Sequence, residues 1–290
     1  MSPCPLDVAV LTSLDALRAR EVPAPNVLLL VGTGLGSLPE RFSYQHGATT
    51  AVDLDGVDGL PAPWSSQVLH HGTINTEHGP AVVWMLEDQA LDAPQQLDEV
   101  PWHRGFACWL AAKAGATVLL HSSAGGSLGS GSHQPGDLAL VRDHLNLTGS
   151  SPLLGLGGSK LGPLFPDVSR LHLDCLRAEF AELAAGRGHT IAETVVAATA
   201  PASLPSPAER EWFSRAGADL WVQGVAAPYL AAAHAGLGLV SLVAVTGSEA
   251  AAADVHAILT ATAAAAPALE ELLLEGLTLA ANSATRPDPA

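Results

Sequence analysis

Apolar residues along the chain fall into two alternating patterns, short continuous runs and longer segments in which they recur at helical spacing. The run at 27–31 (VLLLV) is typical of a strand that is buried on both faces. A helical pattern over 6–20 precedes it, and a proline-containing segment at 22–26 separates the two. The alternation continues along the chain and predicts an α/β fold, with a largely parallel sheet covered by helices on both faces.

Further elements of both kinds are predicted from the same patterns. Strands are expected at 81–86, 117–121, 137–141, 191–199, 219–222 and 239–245. Helices are expected at 104–114, 171–185, 227–235 and 254–281, and another begins at Pro207 with Ser206 as its cap. Pro267 should break the helix in which it lies. We expect a single domain over 1–283 and a disordered tail over 284–290.

Composition and charge narrow the class of protein. Hydrophobic residues make up 48% of the 290 positions and charged residues only 14%, which suits helices packed on a buried sheet. The 29 acidic residues outnumber the 13 Lys and Arg, giving a net charge of −16. Such a charge repels phosphate backbones and anionic lipids, so we expect neither a nucleic acid nor a membrane partner.

Targeting and metal signals are weak in this sequence. The amino terminus has no basic region typical of a signal peptide, and no apolar run reaches the length of about 20 residues that spans a membrane. The three cysteines are odd in number, and the twelve histidines form no recognised metal motif. These features predict a cytoplasmic protein with reduced thiols and no metal.

Two of the predicted strands are followed by glycine-rich segments, which are predicted to form turns. GTGLGS at 32–37 follows the strand at 27–31, and SSAGG at 122–126 follows the strand at 117–121. In open α/β sheets, ligands bind at the carboxyl ends of the strands. The glycines at 32, 34 and 36 do not form the G-x-G-x-x-G pattern, which argues against a dinucleotide-binding fold.

The order and spacing of several short motifs resemble those of a known family. These motifs are VGTGLG at 31–36, SAGG at 123–126, GDL at 136–138, RDHLNLTG at 142–149 and FPDVS at 165–169. Together they are similar to the trimeric class of purine nucleoside phosphorylases, which includes the methylthioadenosine phosphorylases. The similarity extends from about residue 27 to about residue 259.

The resemblance implies a single domain with a mixed sheet, a homotrimer and a reaction. Family members cleave the glycosidic bond of a purine nucleoside with inorganic phosphate, which is a co-substrate, and need no resident cofactor. Carried over by motif, the phosphate-binding residues are Thr33 and Ser123, and the nucleoside-binding residues are Ala124, Gly125, Gln223 and Thr246. No catalytic residue can be assigned.

Several polar residues of the family pattern are replaced in this chain. The family's phosphate-binding arginine falls on Asp88, and a following histidine falls on Ala90. An earlier Gly-His motif falls on Trp64 and Ser65. Replacing a cation by an anion about 5 Å from phosphate turns roughly 3 kcal/mol of attraction into repulsion at an effective dielectric near 20.

The residues that recognise the purine base are also replaced. The family's aromatic residue becomes Leu204, and its purine-binding carboxylate becomes Pro205. The amide that contacts the leaving base becomes Gly247. Loss of a donor aimed at developing charge costs about 3 to 4 kcal/mol, so phosphorolysis should be very weak or lost.

Alternatives therefore stay open for the protein and for single residues. The protein could be a weak phosphorylase, an inactive pseudoenzyme that binds nucleosides or serves as a scaffold, or an enzyme that uses water as nucleophile. Small residues at 122–126 suit either ligand approach or tight packing. The remaining questions are whether His103, Arg104 or His256 replaces a lost group, whether Gln223 bonds a base or backbone, and whether Glu209 and His144 have only structural roles.

Overall fold

Nine strands form the centre of the computed structural model, which describes residues 3–32, 35–88, 100–129, 133–200, 204–247 and 255–286. The strands are β1 (Val27–Val31), β2 (Thr50–Asp53), β3 (Val68–Thr76), β4 (Gly79–Glu87), β5 (Val118–Ser127), β6 (Leu138–Asn146), β7 (Ile191–Thr199), β8 (Leu220–Gln223) and β9 (Gly238–Gly247). They pair in the order β2-β3-β4-β1-β5-β8-β7-β6-β9.

The sheet is mixed, and part of it closes on itself. Within the described residues, five of the nine strand pairings are parallel, among them β1 with β4 and with β5. Strand β5 also pairs with β9, so β5, β8, β7, β6 and β9 form a closed ring. Strands β2, β3, β4 and β1 extend from this ring as an open sheet.

Helices cover both sides of the sheet, as the alternating sequence pattern predicts. They are α1 (Pro5–Ala19), α2 (Leu38–His46), α3 (Ala62–Ser65), α4 (Phe106–Ala114), α5 (Asp174–Gly186), α6 (Pro207–Arg215), α7 (Ala226–Ala235) and α8 (Val255–Thr285), with a 3-10 helix at Pro101–Gly105.

Strand β1 shows how the sequence divides the core into two layers. Its side chains alternate, so that Leu28 and Leu30 join one apolar cluster with α1, α4 and α7. Val27, Leu29 and Val31 join the other cluster with α2, α5 and α8. All five residues of β1 are buried, which explains why this run lacks polar residues.

The predicted turn at 122–126 was wrong, because β5 continues through it to Ser127. Strand β9 pairs with β5 from Val118 to Gly126, and β8 pairs with β5 on the other side from Gly125 to Ser127. The backbone groups of these small residues are thus used in sheet hydrogen bonds. A register shift between Gly125 and Gly126 is the remaining irregularity in this part of the strand.

The segment before β4 and the start of α5 also differ from the predicted pattern. Helices α2 and α3 and strand β2 were not predicted, since their short sequences are rich in polar residues or proline. Helix α5 begins at Asp174 rather than 171. The residues before it are hydrogen-bonded to β9 instead. Leu173 N donates to Leu239 O at 3.0 Å, and Leu239 N donates to Leu171 O at 2.8 Å.

Helix α8 is longer than predicted and is not broken at Pro267. Ala265 and Leu269, on either side of the proline, are both buried in the core, so tertiary packing holds the helix across it. The helix also includes residues 284 and 285, which the prediction assigned to the tail. There Thr285 is hydrogen-bonded to Thr76 at 3.1 Å, and residues 287–290 lie outside the described chain.

By length and composition alone, part of α8 could cross a membrane, which the sequence patterns did not indicate. In the structure this helix packs against the sheet instead. Leu272, Leu273 and Leu277 lie in the same buried cluster as Val240 and Leu242 of β9. Packing against the sheet therefore accounts for much of the apolar character of α8.

We expect the free energy of unfolding to fall as the pH drops below about 6.5, the pKa of unfolded histidine. Trp109 Nε1 donates to Nδ1 of His234 at 3.0 Å, which requires a neutral ring at that nitrogen. Burial lowers the pKa of His234, and Asp7 opposes this only in part. The unfolded chain therefore binds more protons in this window, and stability is lost toward acid at up to about 1.4 kcal/mol per pH unit for each such histidine.

Urea unfolding at pH 7, 6 and 5 measures this slope. His234→Gln should flatten it, whereas His78→Gln, at an exposed position, should leave it unchanged. Equal slopes in wild type and His234→Gln would contradict the assignment to His234.

Candidate functional site

The ends of β1, β5 and β9 are joined by side-chain contacts at one edge of the sheet. Ser122 Oγ accepts a hydrogen bond from Gly32 N, the residue after β1, at 3.0 Å. Thr246 Oγ1, near the end of β9, donates to Gly125 O at 3.2 Å. Thr33 lies outside the described residues, so its predicted role in phosphate binding stays a prediction.

Ser123 and Ala124 provide the part of β5 that is best placed for a ligand. The Ser123 hydroxyl is buried and has no hydrogen-bond partner within the described chain. Ala124, the next residue, is exposed. A buried hydroxyl without a partner is unfavourable, so a ligand that bonds to Ser123 Oγ would be stabilised there.

Gln223 reaches the same region from β8. It pairs with Thr199 at the end of β7, and its neighbour Val222 pairs with Gly125 of β5. The Thr199 hydroxyl, like that of Ser123, is buried without a hydrogen-bond partner among the described atoms. The fold thus brings Gln223, Gly125, Ser123 and Thr246 close together.

The two glycines that follow Ala124 are also explained by packing. A Cβ on Gly125 would overlap the Trp221 carbonyl oxygen, and a Cβ on Gly126 would overlap the Trp221 indole ring. Trp221 lies on β8, directly opposite Gly126. Close contact between β5 and β8 therefore requires glycine here whether or not a ligand binds.

We expect Gly126→Ala to lower the free energy of unfolding by about 3 kcal/mol, because overpacking against a strand partner forces backbone shifts. Gly186→Ala is the matched control, since nothing lies within 4 Å of a Cβ at that helix end. The control should be neutral or stabilising by up to about 1 kcal/mol. Denaturant unfolding of both variants checks this, and similar stabilities would show that Trp221 can move away.

Asp88 has a partner that the sequence patterns did not identify. It follows β4 directly, and its backbone N donates to Val31 O at 2.7 Å. Its carboxylate Oδ2 lies 3.0 Å from Nε2 of His121, a residue with 0% exposure on β5. The position aligned with the family's phosphate-binding arginine thus carries one half of a buried Asp–His pair.

The pair continues into a chain of hydrogen bonds. His121 Nδ1 lies 3.0 Å from Ser241 Oγ, and the Tyr229 hydroxyl donates to the same Ser241 oxygen at 2.6 Å. One arrangement of hydrogens satisfies all three contacts: Tyr229 donates to Ser241, Ser241 donates to His121, and His121 Nε2–H donates to Asp88. Burial also raises the pKa of Tyr229, which keeps its hydroxyl protonated as a donor.

His121 and Ser241 were not singled out from the sequence. Each is a polar residue within an otherwise apolar strand. Such a residue could have been noticed in the sequence, because a buried polar group needs a hydrogen-bond partner. Their pairing depends on β5 and β9 being neighbours, with His121 directly opposite Ser241. A single sequence does not supply that register.

A cavity of about 340 Å³ adjoins the carboxyl ends of β1 and β4. Val31, Gly36 and Glu87 line it, but Ser123 and Thr246 do not. Among its described lining residues there is no lysine or arginine, and burial lowers the pKa of its one histidine, His70. This cavity therefore offers a phosphate anion no cationic side chain from the described residues.

Other departures from the family pattern have structural roles here. Trp64, at the position of a family Gly-His motif, is buried and its Nε1 donates to His103 O at 2.6 Å. His103 and Arg104 belong to the 3-10 helix, where neighbouring Gly105 packs closely on Ala231 of α7. Neither side chain lines the cavity described above.

The predicted base-recognition segment begins helix α6. Ser206 and Glu209 form a capping box, with Ser206 N donating to Glu209 Oε2 at 2.7 Å. The structural interpretation of Glu209 is thereby confirmed. Leu204 is exposed, Pro205 has no carboxylate to offer a purine, and His256 lies exposed in the first turn of α8.

Comparison with known proteins identifies the class defined by this fold. The chain matches the family model of the phosphorylase superfamily over residues 106–277, more than half its length. The chain belongs to the phosphorylase superfamily, which confirms the family expected from its motifs.

Its sequence relatives include purine nucleoside phosphorylases. Purine nucleoside phosphorylase 1 of Geobacillus stearothermophilus is 26% identical over 236 residues, covering 81% of this chain and 82% of that protein. The Bacillus subtilis (strain 168) protein of the same name is 24% identical over 229 residues, covering 78% and 80%. Purine nucleoside phosphorylase of Mycobacterium leprae is 34% identical over 136 residues, covering 47% and 46%.

Solved structures confirm the fold. Schistosoma mansoni purine nucleoside phosphorylase in complex with adenosine aligns with a TM-score of 0.78 at 18% identity, over 93% of this chain and 96% of that one. Isoform 2 from the same organism, in complex with cytosine and ribose-1-phosphate, gives 0.76 at 17% identity, over 93% and 95%. At these identities the likeness establishes the α/β fold with its mixed sheet.

Proposed function

We propose that this protein keeps a nucleoside-binding cleft of the purine nucleoside phosphorylase type but catalyses phosphate-dependent nucleoside cleavage very weakly or not at all. The observation that carries the proposal is the buried Asp88–His121 pair at the carboxyl end of β4. The carboxylate occupies the position aligned with a phosphate-binding arginine, and His121 holds it in a network of hydrogen bonds within the core. Phosphate would have to approach an anion there.

Residues near the ends of β5, β8 and β9 support the retention of a cleft. The unpartnered Ser123 hydroxyl, exposed Ala124 and nearby Gln223 and Thr246 offer donors and acceptors of the kind that a ribose or base can use. Loss of turnover is supported by Pro205 and Gly247, which cannot stabilise a departing base. Binding without phosphorolysis is the result that this combination favours.

The assay is base release from inosine, guanosine, adenosine and methylthioadenosine, with and without phosphate, alongside calorimetric binding of each nucleoside. We expect measurable binding of at least one nucleoside and no phosphate-dependent release. Ser123→Ala should weaken binding, and Ser169→Ala, in an exposed turn, is its control. Rapid phosphate-dependent release would overturn the proposal.

The same experiment separates the two remaining alternatives. Base release that does not require phosphate would indicate that water is the nucleophile. Failure to bind any of the four nucleosides would favour a scaffold module that keeps only the fold.

We further propose a homotrimer located in the cytoplasm. The resemblance to the trimeric class supports this assembly, and large apolar side chains that are exposed on the described surface are available for contacts between subunits. They include Leu154, Leu164, Phe165, Leu204 and Trp212, of which Phe165 is 86% exposed. Light scattering at micromolar concentration tests the assembly, and a monomer would contradict it.

A further inference from the structure

Three side chains of the types that bind metals come together beside β6, the strand that carries the start of the RDHLNLTG motif. Asp143 and His144 on β6 and His172, just before α5, place one ligand atom each within 4.8 Å of one another. The two histidines are separated by 28 positions in the sequence, so no spacing motif joins them. We propose that these three residues bind a divalent transition-metal ion of the Zn²⁺ type.

The two imidazoles are already arranged as a pair of ligands. His144 Nδ1 lies 3.1 Å from His172 Nε2. Two nitrogens on a tetrahedral Zn²⁺ at 2.0–2.1 Å are about 3.3 Å apart, so binding needs only a small movement of the rings. The contact confirms that His144 has an internal hydrogen-bond partner, and a metal would replace that bond by joining both nitrogens.

The surroundings hold the rings in place. Tyr229 packs edge-on against both imidazoles, with ring centroids 5.3 Å from His144 and 5.4 Å from His172. His144 N donates to Asp143 Oδ1 at 2.8 Å, which orients the carboxylate beside the first imidazole. Asp143 is exposed, so a water molecule can reach the remaining coordination position.

His172 is held within the core. The side chain is 7% exposed, and its Nδ1 is buried without a hydrogen-bond partner among the described residues. Its contact with His144 alone therefore leaves the ring incompletely satisfied, which is costly in the core.

The charge balance also suits a cation. Neutral imidazole and ionised carboxylate are the side-chain forms that bind a divalent cation, and this cluster offers two of the first and one of the second. Arg177 donates to His172 O at 2.7 Å, but its charge is paired with Asp174 and Glu193.

The position indicates a structural role. His172 pairs with Leu239 at the start of β9, whereas Thr246 lies near the end of that strand, about 20 Å further along. The ion would join β6 to the segment before α5 and so close the long connection between them. Closing a connection of this length removes entropy from the unfolded chain, so the metal should raise the melting temperature.

The test uses tag-free, chelator-treated full-length protein titrated with Zn²⁺ in competition with a colorimetric chelator. We expect one tightly bound Zn²⁺ per chain and an increase in melting temperature. His144→Gln and His172→Gln should each weaken binding by more than the 10–100-fold caused by loss of an outer-shell partner. Co²⁺ should give the visible absorption bands of a low-symmetry site in wild type and lose them in the variants.

Two further variants keep the test decisive if a histidine variant misfolds. Asp143→Asn changes an exposed residue and should weaken Zn²⁺ binding at least about tenfold while the circular dichroism spectrum stays native. His189→Gln removes the histidine of the His189–Glu271 pair elsewhere on the protein and should leave binding unchanged. Equal Zn²⁺ affinity in wild type and Asp143→Asn, or equal losses in Asp143→Asn and His189→Gln, would overturn the proposal.

Discussion

Wild-type protein is expected to cleave inosine with phosphate at a kcat/KM at least about four orders of magnitude below 10⁴ M⁻¹s⁻¹, the lower end of typical enzymes. The charge of Asp88 and the groups lost at Pro205 and Gly247 each reduce the stabilisation of the transition state. If each costs even about 2 to 3 kcal/mol and they add only in part, the sum exceeds 5 kcal/mol. Millimolar phosphate should leave the melting temperature unchanged, because ligand stabilisation needs a concentration near the dissociation constant.

Asp88→Arg tests whether the charge at this position is sufficient to explain the loss of phosphate-dependent activity. The variant should improve phosphate binding, measured as a phosphate-dependent increase in melting temperature, while turnover stays poor because the base-side groups are still missing. The new arginine must also be accommodated beside buried His121, so lower stability is expected. Asp88→Asn is the control that removes the charge without adding a cation.

Two outcomes would contradict this account. A wild-type kcat/KM within tenfold of 10⁴ M⁻¹s⁻¹, the lower end of typical enzymes, would show that other residues have replaced the lost groups. Full activity in Asp88→Arg would show that the base-side replacements have little effect.

Replacing His121 by alanine is expected to lower the free energy of unfolding by about 3 to 5 kcal/mol, as for other buried pairs that lose one partner. His121 makes hydrogen bonds at both ring nitrogens, one to Asp88 and one to Ser241. The change removes both and leaves a cavity between β5 and its neighbours. At about 2–4 °C per kcal/mol, the melting temperature should drop by roughly 6–20 °C.

A graded series separates the network from a general packing effect. Tyr229→Phe keeps the ring but removes the donor to Ser241, and should cost about 1 kcal/mol. His189→Ala, in a partly exposed pair with Glu271, should cost no more than about 1 kcal/mol. Denaturant unfolding provides the values, and equal losses in His121→Ala and His189→Ala would contradict a stabilising role for the buried pair.

Patterns within short segments determined much of the fold. The apolar run at Val27–Val31 could only be a buried strand, and Ile191–Thr199 was predicted with its observed bounds. Ser206, followed by proline and then Glu209, specified a helix start that the capping box confirms. In each case the signal lies in residues close together in the chain, where side-chain spacing and backbone chemistry act directly.

The identity of the family could likewise be predicted from the sequence, because its glycine-rich motifs survive in order. The replacements at Asp88, Pro205 and Gly247 were also visible there. The sequence could not show which contacts each replaced residue makes in the folded protein. Asp88 appeared as an anion in a phosphate site, and only the structure placed its carboxylate against His121.

Tertiary structure alone decided the features that depend on strand pairing and on contacts between distant segments. The pairing of β5 with both β8 and β9 converted a predicted turn into strand and set His121 opposite Ser241. Folding likewise brought His172 beside His144, although neither position predicts the other. Local patterns determine which segments become strands and helices, whereas the register between strands is set by packing of the whole core, and polar contacts follow from that register.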